Sequence, residues 1–502
     1  VTDEWAAFCD ALAIEGLVPE AFERYRPAIA AGFELFLDAL PAERTFEILG
    51  YQAALDADAG PGDRLIELAR CCPVLHKLGQ VIARDTRLPA DLRTHLQRLE
   101  TMAPSGDTDW VPGVIADELG GALPVGIALD PRPLAEASVA MVTGFVWTPP
   151  DGDPPRRGVF KVLKPGIEAR LDEELEILSS IGARLDEKCE HYGLPAIAYA
   201  DSFAQVRELL ERETRLDQEQ RHLVLARQAY AGMQRVVVPE VFPFSTPRLT
   251  AMERIDGLKV TEVDGMPAAA RRSVAETMVI ALLAQPIWSP DDRTPFHADP
   301  HAGNLMVTGD GRLALLDWSL VGQLSKADRI GLSQILLGAI TSDASRIVDA
   351  IHGLAANGTG DAAAIERSVA AAMQRLAISL WPGLTWLTQL MDDIASTTRI
   401  RFSGDLLAFR KVLHTVNGVV ADVSADCQAD VVLVQSFLTR LGIEWPMRMA
   451  SGPTTRAFAT HFSNADLAHI GLSAPLLAWR AWLDGIASWT GGRGEPPSGG
   501  HG

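Results

Sequence analysis

Phe296-His297-Ala298-Asp299-Pro300-His301-Ala302-Gly303-Asn304 is the stretch on which the fold turns, and Asp317 follows it thirteen residues after Asn304, at the end of the apolar run Leu313-Ala314-Leu315-Leu316. Phosphoryl transfer asks for a carboxylate beside the attacking oxygen, with an amide and a second carboxylate to hold magnesium against the phosphates. Asp299, Asn304 and Asp317 supply these three groups. The segments 304–307 and 313–316 flank Thr308-Gly309-Asp310-Gly311, a turn sequence suited to a β-hairpin, which would bring the two metal-ligand candidates together. The plain alternative is a polar loop whose aspartate caps a turn. Zinc binding by His297 and His301 would need a helix for their i, i+4 spacing, and Pro300 and Gly303 oppose one.

Upstream, Gly158-Val159-Phe160-Lys161-Val162-Leu163-Lys164-Pro165-Gly166 sets a lysine inside an apolar strand. A buried ammonium needs a partner, and in a nucleotide site Lys161 would neutralise the α- and β-phosphates while an acidic residue on the following helix holds it. Glu219 is that partner in our reading, because it interrupts an apolar helical stripe between Leu216 and Leu223; Glu213 and Glu211 are its rivals. A lone strand lysine is more often an edge residue. The loop downstream reverses that preference.

The string His297 to Asn304 followed by Leu315-Leu316-Asp317-Trp318-Ser319 resembles the catalytic and metal-binding loops of the UbiB/AarF family of atypical kinases and ATPases. The resemblance implies an α+β, bilobal protein-kinase-like fold with a helical N-terminal extension and a mostly helical large lobe, and it implies ATP and Mg2+. Lys77-Leu78-Gly79-Gln80, alone only the polar face of a helix with Leu75, Leu78 and Ile82 opposite Lys77, Gln80 and Arg84, is similar to the family's Lys-x-Gly-Gln signature. In the family that extension folds over the active site and restricts protein substrates. Lys77, Gly79, Gln80 and Glu213 are thereby regulatory candidates.

Pro133-Leu134-Ala135-Glu136-Ala137-Ser138-Val139-Ala140 stands in the place of the phosphate-covering loop, has no glycine, and resembles the family's alanine-rich loop, which makes Ala135, Ala137 and Ser138 nucleotide-contact candidates. Alone it reads as a connecting helix-and-strand segment. The stretch 249–257 resembles the hinge between kinase lobes, where backbone groups of Glu253 and Ile255 would bind adenine. Trp318 and Ser319 replace the usual Phe and Gly after the metal aspartate, and Glu213-Thr214-Arg215 stands where the family has Glu-x-Asp, adding a positive charge to the network around Lys77.

Length and composition frame these motifs. A chain of 502 residues exceeds one compact core. We expect a helical extension over 1–105, a small sheet-bearing lobe over 106–257, a helical large lobe over 258–490 and a disordered Gly/Pro/Ser-rich tail over 491–502. Sheet-like texture starts near Val111, a helical segment covers 201–230, strand-like runs cover 236–241 and 249–252, a helix covers 267–285, and helices follow Ser325. A net charge of −20 repels nucleic acid and disfavours adsorption to an anionic bilayer. The five cysteines are scattered without a CxxC pair and read as reduced thiols. The acidic start argues against a secretory signal, and the apolar stretch 472–489 is broken by Pro475, Arg480 and Asp484, so no bilayer span is expected.

The expectation is a cytoplasmic Mg-ATP-dependent atypical kinase or ATPase, with at most peripheral contact to the inner face of a membrane. The resemblance alone adds isoprenoid-quinone or related lipid biosynthesis, a lipid or isoprenoid-like ligand and a biosynthetic partner protein. A small-molecule phosphotransferase of the aminoglycoside- or choline-kinase type and a nucleotide-binding pseudokinase scaffold are the alternatives.

Overall fold

Strand character in the first half comes from β-branched and aromatic residues that pair over a phenylalanine core. The computed structural model describes residues 18–473 apart from 19, 57, 83–89, 101, 103, 105–107, 195–198, 357–360, 380 and 381. The readings of Cys9, Arg84, the acidic start and the tail 491–502 lie outside the described residues. Two compact units emerge, Val1–Val224 with Pro239–Ile255, and Leu225–Val238 with Asp256–Gly502.

In the first unit, helices α1 (Arg26–Ala39), α2 (Ala42–Ala53), α3 (Pro61–Cys71), α4 (Pro73–Ile82) and α5 (Ala90–Gln97) come first, and proline opens α1 and α3, where no amide partner is lost. Then come α6 (Trp110–Glu118), β1 (Ile127–Glu136), β2 (Ala140–Trp147), β3 (Arg156–Leu163), α7 (Ile167–Lys188), α8 (Tyr199–Glu213) and α9 (Leu216–Tyr230), the last of which ends in the second unit. An antiparallel sheet runs β1-β2-β3-β5, with β5 at Leu249–Glu253. Its core stacks Phe145 on Phe160 at 4.2 Å and sets Phe242 edge-on at 5.8 Å.

Phe36, Leu37, Ile48, Leu68 and Cys72 of the N-terminal helices share a core with Ile177 and Ile181 of α7. Arg44 reaches Glu174 at 2.7 Å inside that packing, and the Val74 amide donates to the other Glu174 oxygen at 3.0 Å. This buried pair is fully hydrogen-bonded on the carboxylate side, which is what burial of a charge requires.

Three sequence expectations change here. Residues 111–118 form a helix rather than the first sheet residues, because Val111 and Ile115 recur at helical spacing and bury that face. α7 precedes the predicted helical segment, and 201–230 breaks between Glu213 and Leu216, where the Thr214 hydroxyl donates to the Glu211 carbonyl at 3.0 Å and competes with the helix ladder. The run 236–241 is split, and only its end meets the small sheet, where Val241 bridges Met252 of β5. Its start, β4 (Val236–Val237), pairs in parallel with β9 (Leu313–Leu315) in the second unit.

That second unit holds the sheet order β4-β9-β8-β6, with β6 at Gly257–Lys259 and β8 at Leu305–Thr308, and a two-stranded ribbon of β7 (Arg293–His297) and β10 (Val321–Ser325). β8 and β9 form the expected hairpin, with Gly311 at φ 82° in its turn. Helix α10 (Ala268–Val279) continues through a π-helical turn at Ile280–Ala284. Helices α11 (Lys326–Thr341), α12 (Ala344–Leu354), α13 (Ala362–Ser379), α14 (Leu384–Thr397), α15 (Gly404–Val423) and α16 (Ala429–Met449) complete it. Gly322 on β10 faces the Phe296 ring so closely that any Cβ would enter it.

Candidate active site

Lys161 lies on β3 between β2 and β5, opposite Val142 and Thr250, so it is a central-strand lysine and the edge reading fails. Its Nζ donates to both Glu219 oxygens at 2.9 Å. Glu219 is 2% exposed and occupies the first turn of α9, where the positive helix end favours a carboxylate. The two rival carboxylates go elsewhere. Glu213 pairs with Lys77 and accepts the Ser138 hydroxyl at 2.9 Å, while Glu211 accepts from Arg207 at 3.0 Å.

Of the three residues assigned to a phosphate-covering loop, Ala135 belongs to β1, paired with Val142, and only Ala137 and Ser138 lie in the turn. The hairpin is tighter than the alanine-rich string suggests, because the Ala137 amide donates to the Ala140 carbonyl at 2.8 Å. Its tip is pinned by Ser138 on Glu213, by the Lys164 amide on the Val139 carbonyl at 3.0 Å, and by Lys164 on Glu136 at 2.7 Å.

The Lys-x-Gly-Gln residues divide their work. Lys77 turns to Glu213, whereas Gln80 donates to the Leu99 carbonyl at 2.8 Å, a carbonyl that also meets His76 Nε2 at 3.0 Å. A Cβ on Gly79 would lie 2.5 Å from Leu99 Cδ1, so glycine permits this approach. The expected shared polar face of Lys77 and Gln80 is therefore replaced by two separate contacts, and Ile82 is exposed while Val74 fills the core. Arg215 occupies the α8–α9 break, where its carbonyl accepts the Gln218 amide at 3.0 Å. At the expected hinge, the Glu253 amide donates to the Glu240 carbonyl at 2.8 Å, so that amide is engaged within the first unit. Ile255 ends the first unit.

In the second unit β7 leads into the loop that carries Asp299 and Asn304. His297 is buried, and its Nδ1 accepts the Asp299 amide at 3.2 Å, which assigns the proton to Nε2, 2.8 Å from the Leu316 carbonyl. Burial pushes this imidazole's pKa down, so it stays neutral. Both ring nitrogens are thereby used and the zinc reading loses its first ligand. The Asp299 carbonyl accepts the His301 amide at 2.8 Å and Asn304 Nδ2 at 3.1 Å. That clamp fixes the loop through the Asp299 carbonyl.

Asp317 has φ 51°, a left-handed conformation that aspartate tolerates better than most residues, and its Oδ1 accepts the Ser319 amide at 3.2 Å. The Leu316 amide donates to the Asn304 carbonyl at 2.9 Å, so the β8–β9 hairpin ties the two metal-ligand candidates together through the backbone. Trp318 is buried, donates from Nε1 to the Leu315 carbonyl at 3.1 Å and packs against His297 at 4.8 Å and Tyr230 at 5.9 Å. The indole anchors the segment after Asp317. A carboxylate and an amide oxygen are hard donors, and such a pair completed by phosphate and water fits magnesium. Among the described residues no three His, Cys, Asp or Glu gather as a metal cluster.

One contact was not legible in the sequence. Lys411 on α15 places Nζ 3.0 Å from Asp299 Oδ1, while His301 Nε2 stands 3.8 Å from Oδ2. Nothing in the Arg410-Lys411 dipeptide of the sequence distinguishes it from ordinary surface charge.

Residues 98–351 match the ABC1 atypical kinase-like domain. A probable protein kinase UbiB from Xanthomonas oryzae pv. oryzae is 28% identical over 335 residues, which are 63% of this chain and 58% of the relative. The uncharacterized protein sll1770 from Synechocystis sp. is 27% identical over 365 residues, 70% of this chain and 60% of that protein. The chain thus spans under two thirds of these relatives' length. Among solved structures, the complex of Rv3197 with erythromycin from Mycobacterium tuberculosis aligns with 20% identity and a TM-score of 0.48, over 68% of this chain and 86% of that one.

Proposed function

The chain belongs to the UbiB/AarF family of atypical kinases, with an α+β protein-kinase-like fold, and from that premise we propose that it is a magnesium- and ATP-dependent phosphotransferase or ATPase. The observation that supports this most is the Lys161–Glu219 pair, an ammonium fixed on a central strand by a buried carboxylate at 2.9 Å to each oxygen. A fixed cation of this kind neutralises the α- and β-phosphates of a nucleotide. Asn304 Oδ1 and Asp317 would hold magnesium, which when bound neutralises phosphate charge. The Glu253 carbonyl and Ile255 amide would meet adenine, with the Ala137-Ser138 turn over the phosphates.

Asp299 orients the acceptor hydroxyl or water and takes its proton on a carboxylate oxygen. The acceptor oxygen bonds to the γ-phosphorus as the bond to ADP breaks, and the electron pair leaves on the ADP oxygen. The contacts of Lys77 with Glu213, and of Gly79 and Gln80 with Leu99, support reading the extension as a regulatory element of this reaction. The acceptor class, on the family's pattern, is an isoprenoid or other lipid, or a partner enzyme that handles one, reached from a cytoplasmic position with peripheral contact at the membrane's inner face. Leu438, Ile443, Trp445, Met447 and Met449 expose apolar surface on α16 that supports such contact, and among the described residues no helix is long and apolar enough to cross a membrane.

Thermal unfolding with and without Mg-ATP tests the nucleotide reading, since a ligand selective for the folded state raises Tm. Wild type should shift, and Asp317→Asn, which keeps a residue tolerant of positive φ, should lose most of the shift. An equal shift in both would remove Asp317 from metal binding. Turnover by Asp299→Asn, with and without lipid vesicles, should fall about a hundredfold or more. Nucleotide binding without turnover in wild type would make the protein a scaffold, and phosphorylation of a hydroxylated metabolite would favour the small-molecule class.

A further inference from the structure

We infer that Lys411 is a further residue of the phosphoryl-transfer site, a cation supplied by α15 that contacts the transferred phosphoryl group; the inference rests on the reading of Asp299 as the residue beside the acceptor. The loop 296–304 contains an aspartate but no Lys or Arg. A phosphoryl group in transfer carries spread negative charge, and a carboxylate facing it is repelled unless a cation stands beside it. Lys411 Nζ lies 3.0 Å from Asp299 Oδ1 and meets that need.

Its placement is fixed by packing. Two residues before Lys411, Phe409 is buried edge-on against Phe296 at 5.1 Å, and Phe296 lies three residues before Asp299 on β7. At the start of α15 the Asp405 carboxylate accepts the Gln323 amide at 3.2 Å, on the strand β10 that pairs with β7. Leu406, Val412, Leu413 and Val416 are buried along the same side of the helix as Phe409. Both strands of the ribbon thus hold α15, and the ammonium is aimed at the loop the ribbon carries.

Exposure separates this arrangement from an incidental surface pair. The Asp299 side chain is 15% exposed and that of Lys411 53%, so the carboxylate is recessed and the ammonium is the accessible partner. An exposed ion pair adds little to stability, too little to account for a helix clamped at this position. In the reaction Lys411 donates a hydrogen bond to a non-bridging γ-oxygen. The acceptor oxygen bonds to phosphorus, its proton goes to Asp299, and the electron pair of the broken bond leaves on ADP. The lysine therefore senses the γ-phosphoryl group and not the diphosphate.

Full-length wild type, Lys411→Met and Lys411→Arg would be titrated with Mg-ADP and with the non-hydrolysable Mg-AMPPNP, read by thermal shift, and assayed for ATP turnover. We expect Lys411→Met to keep its ADP affinity, lose about tenfold in triphosphate affinity and fall about a hundredfold in kcat, while Lys411→Arg recovers most of the triphosphate preference. Unchanged triphosphate preference and kcat in Lys411→Met overturn the inference while the kinase reading stands. Wild type that binds neither nucleotide overturns both. Equal losses for ADP and AMPPNP would make Lys411 a structural residue and also overturn it.

Discussion

Lys161 became visible in the sequence because a charge among Val159, Phe160, Val162 and Leu163 breaks an apolar run, and a buried charge must be explained. Glu219 was legible for the same reason, as a carboxylate interrupting a helical stripe. Lys411 has the same importance in our reading and no such signal, because a lysine on a solvated helix face obeys the pattern instead of breaking it. The buried pair yields a test that separates stability from binding. Removing one partner of a buried pair strands the other charge, so Lys161→Met should destabilise by about 3 kcal/mol in urea unfolding. Replacing both, as Lys161→Met with Glu219→Leu, should restore most of that loss, since an apolar pair of similar volume strands nothing. Neither variant should show the Mg-nucleotide shift. A double variant that still binds would assign Lys161 to the core alone.

At the scale of elements, the β8–β9 hairpin was readable from its turn residues, whereas the β1–β2 hairpin was not. Its turn has no Gly, Asn or Asp, so the string from Pro133 to Ala140 looked like a loop, and Ala135 was placed in it although it pairs with Val142. β4 is not separable in the sequence from the run that follows it, because a two-residue strand carries no register information, and only its parallel neighbour β9 decides the sheet it joins. For α4, the Lys-x-Gly-Gln string showed a motif without its mechanics, since the partner Leu99 is contributed from beyond the helix. Gly79→Ala should push Leu99 aside, at a cost of about 1–3 kcal/mol. Faster amide exchange over α4 and residues 96–99, with exchange in α15 unchanged, would check it. Uniform change across both units would mean that Gly79 serves global folding instead.

For the whole molecule, the sequence shows the two loops read here as catalytic and metal-binding and hides the long-range packing, since the core joining residues 36–72 to Ile177 and Ile181 has no local signature. Stability against acid is another property of the assembled chain. Burial and then the positive charge of Arg329 push the pKa of His461 down to about 4, and it stays neutral in the folded protein with Nε2 3.1 Å from the Ile287 carbonyl. An unfolded histidine takes up a proton near pH 6.5. Between pH 6.5 and about 4 the unfolded state thus binds the extra proton, and stability falls as pH falls, by up to about 3 kcal/mol for this group. His76, its pKa also pushed down to about 4 by burial, acts in the same direction. Burial would raise the Asp466 carboxyl, but Arg456 and Ser463 hold it down to about 2, so its contribution is lost only below the ordinary carboxylate range. His461→Asn suits the φ of 60° at that position and does not titrate. Denaturation midpoints of wild type and His461→Asn at pH 7.5, 6, 5 and 4.5 should therefore converge as pH falls, because the variant escapes the proton penalty while every other group titrates equally in both. Parallel curves across that window would mean that His461 is protonated in the folded chain and that its burial carries no acid penalty.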